Sequence, residues 1–92
     1  MPVTQQQIDK AVEIAKEYGA TKVLLFGSAL DDPENANDLD IGVLGVPNSK
    51  FFEFGGILEN KILISVDVVP LESKEPFIEY IKTKGKYIYE FN

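Results

Sequence analysis

Apolar residues recur at helical spacing near the start of the chain and then shift to short runs and alternations. Ile8, Ala11, Val12, Ala15 and Tyr18 fall on one face of a helix, and Gly19 supplies its stop. Thr4, with Gln7 three residues on, has the form of a capping box at the helix start. Lys22–Phe26 (KVLLF) reads as a short buried strand ended by Gly27-Ser28. Residues 29–37 form a polar loop, with a helical turn expected to start near Asp32-Pro33. Asp38–Leu44 (DLDIGVL) alternates with period two, so Leu39, Ile41 and Val43 share one face. Asp38 and Asp40 share the other.

Gly45-Val46-Pro47-Asn48 is a turn, and Asn48 or Ser49 is placed to cap a helix running through Asn60. Gly55-Gly56 in its middle suggests a place for close packing. Lys61–Val69 (KILISVDVV) predicts a third strand, ended by Pro70. Ser73–Thr83 predicts a helix with Phe77, Ile78 and Ile81 inward, and Gly85 as its stop. Lys86–Phe91 (KYIYEF) is a final extended segment. This order predicts an α+β fold, a small mixed β-sheet packed with helices, with residues 1–92 forming one domain.

The 92 residues suffice for one hydrophobic core, and 45% hydrophobic with 26% charged residues is ordinary globular composition. No apolar run approaches the roughly 20 residues of a membrane span, and the start has no signal-peptide pattern. No membrane association and a cytoplasmic location are therefore expected. Cys and His are both absent, which excludes disulfides, thiolate or imidazole metal sites, and Cys- or His-based catalysis. Any metal must sit on oxygen ligands, which favours Mg²⁺, Mn²⁺ or Ca²⁺ over zinc. All nine basic residues are Lys, and the net charge of −6 argues against direct nucleic-acid binding.

Isolated buried carboxylates are costly, so an Asp-x-Asp on an apolar strand needs a reason. Residues two apart on a strand lie roughly 6.5–7 Å apart, close enough for their carboxylates to converge on metal ions. Asp67 adds a third carboxylate in the middle of the most apolar strand. If that strand lies beside Asp38–Leu44, all three aspartates can meet. A Gly after a strand lets backbone approach a ligand closely, and Ser28 adds a hydroxyl donor for a phosphate oxygen. Plainer readings stand beside these. Asp38 and Asp40 suit a solvated loop end, Asp67 suits an edge-strand charge, and Gly27-Ser28 suits an ordinary turn.

Taken together, Phe26-Gly27-Ser28, nine intervening residues, Asp38-Leu39-Asp40-Ile41 and then Val66-Asp67-Val68-Val69 form a pattern. It resembles the polymerase beta-type nucleotidyltransferase superfamily, and the ending PFIEYIKTKGKYIYE looks like that of its minimal nucleotidyltransferase (MNT) group. The resemblance implies a polymerase beta-like palm core. It implies Asp38, Asp40 and Asp67 as catalytic carboxylates able to bind Mg²⁺, as one ion or two, with Gly27 and Ser28 holding ATP or another nucleoside triphosphate. It further implies attack of an acceptor hydroxyl on the α-phosphorus with release of pyrophosphate. Without fingers or thumb elements, an acceptor held by a second protein is expected rather than templated synthesis. Minimal members of this size are commonly antitoxins of small helical HEPN toxins, and some transfer AMP to a toxin tyrosine. One departure stands out. Where that group often reads Gly-Ser-Arg-Ala-Arg-Gly, this chain has Gly27-Ser28-Ala29-Leu30-Asp31-Asp32, with Lys22 and Lys61 as the replacement cations considered. The alternative implied is a catalytically weak or inactive antitoxin that neutralises its partner by binding.

Overall fold

The computed structural model describes residues 2–91. Helix α1 (Gln5–Glu17) begins with the expected capping box: the Thr4 hydroxyl accepts from the Gln7 amide, and the Gln7 side chain accepts from the Thr4 amide. Its inward stripe is Ile8, Ala11, Ile14 and Ala15, while Val12 and Tyr18 are half-buried. Strands β1 (Lys22–Phe26) and β2 (Asp38–Leu44) have the expected bounds and pair antiparallel, Phe26 opposite Asp40 and Val23 opposite Val43. Between them the helical turn comes earlier than Asp32-Pro33, as α2 (Ser28–Asp31). Gly27 adopts φ 73°, and its carbonyl accepts from both Leu30 and Asp31, turning the chain from strand into helix at once.

Helix α3 (Asn48–Ile62) runs past Asn60, and Pro47 precedes it without a side-chain cap bond. Phe54, Leu58 and Ile62 are its buried stripe at a spacing of four, so Lys61 and Ile62 belong to this helix and not to a strand. Leu63, at φ 69°, ends the helix and β3 (Ser65–Pro70) follows. Nothing lies within 4 Å of a methyl group built on Gly55 or Gly56, so this pair does not serve close packing. Helix α4 (Pro76–Lys84) starts later than Ser73 because Pro76 occupies the first turn, where its missing N–H costs nothing. Ile78 and Ile81 point inward as expected, whereas Phe77 is 54% exposed. Strand β4 (Lys86–Glu90) completes a mixed sheet in the order β3-β2-β1-β4.

Strands β2 and β3 are parallel, joined through α3 as parallel neighbours require. One face of the sheet, with Val23, Leu25, Leu39, Ile41, Val43 and Val66, packs beneath α1 and α3 in the main core. The other face carries a smaller cluster in which Leu24 and Phe26 meet Leu71 and the inward side of α4. Gly42 makes that second layer possible, since a methyl group there would stand 2.5 Å from a Leu71 methyl. At the outer edge, the Val66 amide donates to the Glu59 carboxylate at 3.1 Å, and Pro70 has no N–H to offer. No described helix is long and apolar enough to cross a membrane.

Candidate active site

Because Leu39 and Ile41 take the covered face of β2, alternation holds Asp38 and Asp40 on the opposite, open face. The same rule applied to β3 turns Val66 and Val68 toward the main core and leaves Asp67 beside them on the open side. Asp40 and Asp67 are direct register partners on adjacent parallel strands, so their backbones are about 4.8 Å apart. Asp38 is one pleat further along, opposite Ser65. Asp38 and Asp67 are exposed, and Asp40 is half-buried.

Like charges at this spacing perturb one another. Partial burial pushes the Asp40 carboxyl above the ordinary carboxylate range. The charge of Asp67, a hydrogen bond to Asp67 and the charge of Asp38 push it the same way. No lysine forms an ion pair with Asp31, Asp32, Glu34, Asp38, Asp40 or Asp67 among the described residues. Lys22 is at the far end of β1 from Phe26, where it pairs with Glu90 at 3.7 Å and lies over the Tyr87 ring. Lys61 is in the last turn of α3.

Gly27 lies directly against Asp40. A methyl group built on it would collide with the Asp40 carboxylate, so only glycine lets the backbone pass so close. Ser28, the first residue of α2, is exposed next to it, while Ala29 is buried in the main core and Asp31 faces solvent. Among the described residues, no three ligating side chains are gathered closely enough to hold a metal ion. The donor chemistry nonetheless fits a hard divalent cation. Two facing carboxylates with unrelieved repulsion and a third on the same face are the oxygen ligands such an ion takes.

Sequence reasoning did not anticipate the aromatic flank of this site. Phe26 projects onto the open face beside Asp40, and the Phe77 ring stands edge-on to it with centroids 6.1 Å apart. Its signal was present in Pro76: a helix beginning there places residues 78 and 81 inward and leaves 77 at the rim. A cavity of about 310 Å³ between α3 and β3 is lined by Phe51, Gly55, Gly56 and Val68 and contains none of the three aspartates.

A family model described as polymerase beta, nucleotidyltransferase matches residues 9–92. Among curated proteins, no sequence gives a significant match. Several solved structures share the fold. A chain of the toxin–antitoxin complex MntA–HepT is 22% identical with a TM-score of 0.74, spanning 95% of this chain and 73% of that one. A toxin–antitoxin structure with AMP-PNP is 24% identical with a TM-score of 0.77, spanning 91% and 73%. A third, the tri-AMPylated Shewanella oneidensis HEPN toxin in complex with MNT antitoxin, is 23% identical with a TM-score of 0.73, spanning 94% and 71%.

Proposed function

From the premise that this chain belongs to the polymerase beta nucleotidyltransferase family, we propose that it transfers AMP from ATP to a protein hydroxyl. The acceptor is a HEPN-type helical toxin for which this protein is the antitoxin. The observation that carries the reading is the register of Asp40 with Asp67, set against Gly27-Ser28. The similarity to complexes described as containing AMP-PNP or a tri-AMPylated HEPN toxin supports the nucleotide and the partner.

In this reading Asp38, Asp40 and Asp67 hold Mg²⁺, which supplies charge neutralisation and alignment for in-line phosphoryl transfer. The Gly27 backbone and the Ser28 hydroxyl position the triphosphate next to the carboxylates. Asp67, on the outer strand and exposed, accepts the proton of the acceptor hydroxyl as its oxygen bonds to the α-phosphorus and pyrophosphate departs. No covalent nucleophile on this chain is needed, which suits a sequence without Cys or His.

A second reading has its own observation. Among the described residues no lysine pairs with the site's carboxylates, and Asp31 stands where the resembled group often has Arg. On that reading the protein neutralises its partner by binding alone. Purified protein, labelled ATP, Mg²⁺ and the HEPN-type partner separate the two. Transfer to the partner is expected, and should fall at least a thousandfold in Asp38→Ala plus Asp40→Ala. Transfer that survives both substitutions sinks the catalytic assignment, and neutralisation without any transfer selects the binding reading.

A further inference from the structure

We propose that Phe77 is the platform on which the base of the bound nucleotide stacks, an inference that rests on the nucleotidyltransferase reading above. Phe26 is the direct partner of Asp40 across β1 and β2, and both project from the open face. The Phe77 ring contacts Phe26 edge-on at 6.1 Å, so α4 delivers it to the border of the carboxylate pair. On the same helix Ile78 and Ile81 are buried, yet Phe77 is 54% exposed and Tyr80, nearly one turn on, is 59% exposed. The helix thus keeps its aliphatic side for the core and presents Phe77 beside Phe26 at the rim of the site.

Charge explains why such a ring matters here. Asp31, Asp32 and Glu34 are exposed in and just after the short helix that follows Gly27-Ser28, and among the described residues no lysine pairs with them. These carboxylates repel a triphosphate unless a cation accompanies it, so a neutral contact is a useful source of further affinity. A base has an uncharged π-face, and stacking on an aromatic ring is indifferent to the sign of the surrounding potential. Phe77 is the exposed ring tied to the site through a partner of Asp40.

The test compares ATP with inorganic tripolyphosphate, which has the phosphates and lacks the base. Both are titrated calorimetrically with Mg²⁺ against the full chain, Phe77→Ala, Phe77→Leu and Phe77→Tyr. Phe77→Leu keeps an apolar contact with Phe26 but has no π-face. Wild type is expected to prefer ATP. Alanine and leucine should each weaken ATP by about tenfold while leaving tripolyphosphate unchanged, and tyrosine should restore ATP binding. Unchanged ATP affinity in the alanine and leucine variants overturns the proposal. So does an equal loss for both ligands, which marks a structural role. Loss of affinity for the HEPN-type partner with ATP binding intact assigns the ring to that interface instead. If wild type binds neither ligand, the nucleotidyltransferase reading fails, and the stacking role falls with it.

Discussion

Beneath α1 and α3, Leu39, Ile41 and Val43 are at most 1% exposed, whereas one residue away along the same strand Asp40 is half-buried and Asp38 is open to water. The two sides of β2 thus differ in what holds them. The covered side is close-packed aliphatic surface, and its residues contribute through burial. The open side is only partly roofed, by Leu71 and α4, and leaves carboxylates facing one another with no lysine paired to them among the described residues. The lesson is a division of labour within single strands. Alternation lets the apolar side anchor the backbone firmly enough to hold like charges together on the other side.

The sharpest way to break this contrast is Leu39→Ala. Leu39 is fully buried, so truncation should cost about 2–5 kcal/mol, read as a lowered urea midpoint. Gly27→Ala attacks the open side through the backbone. Its φ of 73° and the collision with Asp40 should cost about 1–3 kcal/mol and abolish ATP binding, measured by thermal melting and calorimetry. Gly56→Ala acts on the exposed side of α3, the helix that roofs the covered side, in the other direction. Space around it is empty and the site is helical, so it should stabilise by about 0.5–1 kcal/mol in the same melt.

The smallest effect on stability belongs to Asp40→Asn. A carboxyl whose folded pKa is raised favours the fold fully only below its unfolded pKa, and that contribution is lost as pH rises through the folded value. At neutral pH the asparagine variant should therefore melt slightly higher than wild type while losing AMP transfer. Below the unfolded carboxylate pKa the difference should vanish. A variant that melts lower at neutral pH would show that the Asp40 charge is compensated.

Much of this contrast was legible in the sequence. DLDIGVL declares its two sides by period two, and a glycine follows each of KVLLF and DLDIGVL, which is why β1 and β2 stop where expected. The α3–β3 junction was not legible, because Ile62, Leu63 and Ile64 form an apolar run that continues into SVDVV without a break. Its assignment depends on Ile62 completing a stripe with Phe54 and Leu58, a contact made only in the folded chain. The late start of α4, against the expected start at Ser73, follows from Pro76. Within the site, alternation placed each aspartate on its side of its own strand. Which strands adjoin, and that Asp67 would pair with Asp40 and leave Asp38 opposite Ser65, is information held in the sheet register.

Strand β3 lies at the border of the sheet, where an exposed backbone ladder ordinarily invites another chain to add a strand. Here the Glu59 carboxylate occupies the outward amide of Val66, and Pro70 contributes none, leaving only the amide of Val68 between them in the outward phase. The outward carbonyls remain, but a border with one free amide is a poor template for a ladder. Sheet extension from here, whether by a second copy or by a misfolded chain, is disfavoured beside Asp67. A protein that approaches the carboxylates along this border finds backbone acceptors with few donors, which favours contacts made by side chains.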